Sequence, residues 1–118
     1  MKSVFGLPEN LAAVLSYLFG AFSGVVVLIL ERENKFVRFH ALQSTLWFLF
    51  LYVVIAIANF ITNIPLLGTI LGLALNPLVV ILWIVMIISG LFLMLKAYEG
   101  TTYKLPFIGE VVSRQIFK

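Results

Sequence analysis

Residues 11–30 read LAAVLSYLFGAFSGVVVLIL, twenty positions without a charge. Twelve of them are Leu, Ile, Val or Phe. At roughly −0.3 to −0.6 kcal/mol each, these side chains favour insertion into a bilayer by about 4–7 kcal/mol. That outweighs the small and polar positions Ser16, Gly20, Ser23 and Gly24. Pro8 and Glu9 stand where a helix would start, since proline lacks a first-turn N–H and an acid suits the positive end of the dipole. The stretch therefore predicts a membrane-spanning helix. The rest of the chain agrees in kind: 63% of the 118 residues are hydrophobic and 11% charged, with a mean hydropathy of +1.15. A water-soluble domain carries about a quarter charged residues. Soluble globular, disordered and disulfide-stapled classes are thereby excluded, and the expectation is one all-α integral membrane domain over 1–118, mature from Met1.

Working outward, residues 41–61 form a second uncharged run, entered through Lys35, Arg38 and His40 and closing at Thr62, Asn63 and Pro65. Residues 66–95 are thirty further uncharged positions, about 45 Å as one helix against a hydrocarbon core of about 30 Å. Proline disfavours α conformation in the residue before it, so Asn76-Pro77 predicts a break. The expectation is a short interfacial or re-entrant helix at 66–75 and a third span at 77–95. The tail, 96–118, has a helix end at Gly100 and extended backbone before Pro106. An amphipathic helix resting on the headgroups follows from Glu110 onward.

The charges orient this scheme. Seven of eight basic residues, Arg32, Lys35, Arg38, Lys96, Lys104, Arg114 and Lys118, lie in the first loop and the tail. With three spans those segments share a side, which the positive-inside rule makes cytoplasmic, and the N-terminus falls outside. Arg32, Lys35, Arg38, Lys96 and Lys104, with His40 and Gln43 at the mouth of the second span, are the candidate surface for a partner or an anionic lipid headgroup. The +3 net charge is read as lipid contact, not nucleic-acid binding.

Polar and small residues suggest further contacts. His40, Gln43, Ser44 and Trp47 share a stripe of the second helix, with Arg38 opposite, beside Thr45. A polar stripe entering a membrane must face protein or water. It can serve as a proton- or ion-handling mouth, with His40 titrating near neutral pH, or bond a neighbouring helix or loop, the reading favoured here. Tyr52, Ala56, Asn59 and Asn63 form a second stripe. Ser16, Gly20 and Gly24 on the first span have the spacing of close helix packing, as do Gly68 and Gly72. Helix–helix contact through Ser16, Gly20, Gly24, Asn59 and Asn63 is expected within the chain or in a homo-oligomer.

Catalysis is not expected. There is no cysteine, no aspartate, one histidine, no Ser/His/acid set and no glycine-rich phosphate loop with a lysine. Neither a metal nor a cofactor is expected. Glu31, Glu33, Glu99 and Glu110 read as solvated partners of Arg and Lys.

Residues 33–44, ENKFVRFHALQS, and 97–110, AYEGTTYKLPFIGE, together with Leu7-Pro8-Glu9-Asn10, resemble a family of small prokaryotic multi-span membrane proteins of unknown function. That family is distantly grouped with the Tic-twenty component of the chloroplast inner-envelope translocon. The resemblance covers nearly the whole chain and implies the plasma membrane of a prokaryote. It carries no catalytic residues over. The expected function is a non-enzymatic membrane subunit or scaffold. The alternatives are an oligomeric translocon-like or channel component and an anionic-lipid-binding protein. Lipids and other membrane proteins are the expected partners.

Overall fold

A computed structural model describes residues 6–117, so Met1, Lys2 and Lys118 lie outside the described residues. These form five helices: α1 (Glu9–Leu18), α2 (Ala21–Leu30), α3 (Lys35–Thr62), α4 (Leu67–Tyr98) and α5 (Ile108–Ile116). Two of them, α3 and α4, are long and apolar enough to cross a membrane.

The first apolar run is not one of those two. It divides at Gly20, which takes φ 65° and ψ −139°, a conformation that costs other residues about 1–3 kcal/mol. The two ten-residue helices fold back on each other. In a continuous helix the Ser16 carbonyl would accept the Gly20 N–H; here that N–H turns to the Tyr17 carbonyl at 3.3 Å. The freed Ser16 oxygen receives the hydroxyls of Ser23 at 3.1 Å and of Ser44 on α3 at 2.6 Å. Ser23 Oγ also accepts the Phe19 N–H at 3.0 Å. A helix break in an apolar medium requires such replacements, because no water is there to supply them.

Both ends of this hairpin lie at the start of α3. Glu9 accepts a hydrogen bond from Asn34 Nδ2 at 2.9 Å, and Arg38 Nη1 donates to the Leu28 and Glu31 carbonyls at 3.1 and 2.6 Å. Asn10 Nδ2 reaches the Tyr98 carbonyl at the end of α4. The expected arrangement of three spans with the N-terminus opposite the tail is therefore corrected. α1 begins at the same end of the molecule as the 31–34 loop and the tail. Length and composition do not distinguish a span from a hairpin of two half-length helices; the serine bonds do.

A second correction concerns Asn76-Pro77. α4 runs unbroken through Pro77 for 32 residues, and no separate helix at 66–75 exists. A proline inside a helix costs about 3 kcal/mol and one hydrogen bond. A break would orphan up to four N–H and four C=O groups, each costing several kcal/mol in hydrocarbon. The continuous helix wins that comparison.

α3 and α4 form an antiparallel pair. Trp47 Nε1 donates to Ser89 Oγ at 2.9 Å, Phe48 lies against Gly90, and Tyr52 meets Trp83. The hairpin tip reaches only this level: a Cβ on Gly20 would stand 2.9 Å from Tyr52 Oη and 3.6 Å from Phe48. Beyond it α3 and α4 continue as a two-helix pair with Phe60, Leu66, Ile70 and Leu73 exposed.

Candidate functional site

The polar centre of the molecule lies where the tail crosses the first turns of α3. Gly100, at φ 81°, ends α4: the Thr101 N–H returns to the Lys96 carbonyl and the Gly100 N–H to Ala97, at 3.0 and 3.1 Å. This is the glycine stop that satisfies last-turn carbonyls. Residues 101–105 then run without helix or strand along α3, and their backbone groups need partners.

His40 and Gln43, one helical turn apart and fully buried, supply them. His40 Nε2 lies 2.9 Å from the Thr101 carbonyl oxygen. A carbonyl only accepts, so this nitrogen carries the proton, and Nδ1 accepts the Tyr17 hydroxyl at 2.6 Å. Gln43 Nε2 donates to Tyr17 Oη at 3.1 Å and to the Tyr103 carbonyl at 2.9 Å. Gln43 Oε1 accepts the Leu105 N–H at 3.1 Å. The network links α1, α3 and the tail, and among the described residues no buried side-chain polar atom lacks a partner. The geometry fits a clasp. Both ring nitrogens of His40 are engaged, and the ring is enclosed edge-on by Tyr17, Phe36 and Phe39.

The tail continues through Pro106 and Phe107 into α5, which lies along α3. Phe107, Ile108 and Val111 stand with Leu46 and Phe50 around a shallow groove, and Phe117 packs on Phe39 at the other end. Gly109 is pressed against Lys104, leaving no room for a Cβ.

The candidate residues fall into distinct places. Arg32 and Lys35 are exposed at the charged end. Lys96 stands 3.7 Å from Glu99 and over the Phe92 ring, and Lys104 stands 4.0 Å from Glu110, both loose surface pairs of small energetic weight. Arg38 instead caps the last carbonyls of α2. His40 and Gln43 are interior. Arg114, exposed on α5, joins the charged end. Of the packing candidates, Ser16, Gly20 and Gly24 meet α3 of the same chain; a Cβ on Gly24 would stand 2.9 Å from the Ala41 carbonyl oxygen. Asn59 and Asn63 are exposed at the far end of α3, where Asn63 Nδ2 donates to the Asn59 carbonyl. Tyr17 was not among the candidates: an aromatic residue in an apolar run gives no sign that its hydroxyl will sit between His40 and Gln43.

Every described charged side chain lies in this half, in α1's first turn, the 31–34 loop, the start of α3, the end of α4, the 101–105 segment or α5. The residues between Leu46 and Leu95 carry none.

Comparison with known proteins adds the following. The magnetosome magnetite crystal formation protein family matches residues 8–112. The UPF0132 membrane protein MJ1443 of Methanocaldococcus jannaschii is 42% identical over 113 residues, covering 96% of this chain and 93% of its own. MJ1527 of the same organism is 42% identical over 109 residues, 92% of this chain and 71% of its own. A UPF0132 membrane protein of Archaeoglobus fulgidus is 37% identical over 110 residues, 93% and 97% of the two chains. No solved structure matches. None of these matches shows a link to the Tic-twenty component.

Proposed function

The chain belongs to the magnetosome magnetite crystal formation protein family, and from that premise we propose that it is a non-enzymatic membrane scaffold that docks partners through its charged end. One observation carries the reading. The buried polar groups of the clasp are engaged within the chain, while Arg32, Lys35 and Arg114 are left exposed together at one end. Such an arrangement suits holding and presenting a surface. The positive-inside rule favours a cytoplasmic position for that end, and the homologues' names as membrane proteins support a membrane location.

An anionic-lipid surface is the second reading, favoured by the placement of α5. Arg114 and the Lys104–Glu110 pair are exposed on the outer side of α5, near exposed Phe107 and Val111, and a basic residue near an anionic membrane surface contributes about 1 kcal/mol. A role in magnetite formation rests on the family description alone. An oligomeric translocon-like component remains the reading implied by the Tic-twenty resemblance.

The test is purification of the full chain under crosslinking, as wild type and as Arg32→Glu/Lys35→Glu, with identification of bound proteins and lipids. The scaffold reading expects a specific membrane partner that the double reversal loses. Co-purified anionic lipid alone supports the second reading, and a protein-export partner the translocon one. Recovery of the same proteins and lipids with both chains contradicts docking through this end. Arg38 is unsuited to the test, because its reversal would uncap α2.

A further inference from the structure

The two halves of the molecule differ in cross-section. At the charged end five helices lie side by side: α1 and α2 as a hairpin, the first half of α3, the last part of α4, and α5 along α3. Past the tip only α3 and α4 remain. The tip stops between Phe48 and Tyr52, about 15–20 Å short of the end of α3 at 1.5 Å per residue. α5 stops at a similar level, since its inner end meets Leu46 and Phe50 and its outer end meets Phe39. A helix with its side chains is 10–12 Å across, on the order of 100 Å² in section. One half therefore displaces on the order of 500 Å² of membrane and the other on the order of 200 Å².

The wide half cannot slide into the opposite leaflet. Glu9, Glu31, Arg32, Glu33, Lys35, Lys96 and Glu99 all belong to it, and moving a charge to the bilayer centre costs roughly 3 kcal/mol or more. The hairpin cannot straighten cheaply either. The Ser16 carbonyl, which a straight helix would need for Gly20, is fastened to Ser23 and to Ser44 on α3. The asymmetry is thus built into the fold and assigned to one leaflet.

From this geometry we infer that the chain is a leaflet-specific wedge: it prefers, and at high density imposes, membrane curved convex toward its charged end. Its ligand in this activity is the bilayer itself, bent so that the leaflet holding the hairpin and α5 is expanded. The inference rests on shape and not on the docking reading, so either can fail without the other.

The experiment uses the full chain in giant vesicles from which thin tethers are pulled outward. Two single-cysteine variants of this cysteine-free chain, Gln115→Cys at the charged end and Asn63→Cys at the far end, are labelled from outside with a membrane-impermeant dye. Each then reports one orientation only. Molecules with the charged end outward (Gln115→Cys) should be enriched on tethers over the flat membrane by about two-fold, the graded response of curvature-sensitive insertion. Molecules with the far end outward (Asn63→Cys) should be depleted. Equal distribution of the two populations, or the opposite sorting, overturns the wedge.

Discussion

The charged half and the far half of this molecule are held together by different physics. In the charged half, helix breaks and extended backbone enter an apolar environment, and hydrogen bonds decide the structure. Ser44 and Ser23 take up the carbonyl that Gly20 releases, and His40 and Gln43 take up the backbone groups of residues 101–105. In the far half α3 and α4 are uninterrupted, satisfy their own backbones except for the bond lost at Pro77, and bury Ile55, Ala58, Gly68 and Gly72, while Ile57 and Leu73 are exposed. The difference shows where irregular backbone is tolerated in a membrane: only where side chains of a neighbouring helix can replace water.

This contrast ranks the expected effects of substitution. Gln43→Leu keeps the volume but leaves the Tyr103 carbonyl and the Leu105 N–H without their partner. Each orphaned buried group costs about 1–3 kcal/mol, so a loss of about 2–6 kcal/mol is expected in unfolding followed in detergent. Faster proteolysis near Lys104 should accompany it. If Gln43→Leu unfolds like wild type, the clasp does not hold the tail.

Gly20→Ala follows, at about 1–3 kcal/mol for a backbone at φ 65° and ψ −139° that glycine alone adopts readily; Tyr52 Oη, the free end of a side chain, can move aside. The control is Gly100→Ala, also at positive φ but with nothing within 4 Å, which should show the backbone cost alone. Ser44→Ala should cost about 1 kcal/mol, because Ser23 remains on the Ser16 carbonyl. The smallest effect belongs to the far half. Leu73→Ala, at a side chain 83% exposed, should stay within about 0.5 kcal/mol. A loss there as large as that of Gln43→Leu would mean that a further element covers this face.

Much of the charged half could be read from the sequence, though not its topology. Gly100 as a helix end, a non-helical segment before Pro106 and an amphipathic last helix all follow from local chemistry, and the structure has them, although that helix packs along α3 and does not rest flat on the headgroups. The stripe of His40, Gln43 and Ser44 signals that α3 must meet polar groups as it enters the membrane. What it meets is set by segments about 25 and 60 residues away, and single-residue patterns do not encode that pairing. The fold-back at Gly20 was hidden for the same reason. Glycine in an apolar run reads as a packing site, and its role as a turn depends on Ser44 reaching across from another helix. Asn76-Pro77 misled in the opposite direction. The local rule against helix before proline is sound, but the cost of breaking a helix in hydrocarbon exceeds it. Arg38 read as a docking charge because composition does not show the α2 carbonyls beside it.

The central claim is that residues 11–30 enter and leave the membrane on one side. It is tested most directly by thiol labelling in sealed vesicles of known orientation, using Pro8→Cys, Arg32→Cys, Arg114→Cys and Asn63→Cys one at a time. The hairpin predicts that Pro8→Cys, Arg32→Cys and Arg114→Cys react with an impermeant reagent from the same side, and Asn63→Cys from the other. Reaction of Pro8→Cys from the side of Asn63→Cys would restore a first span and contradict the account.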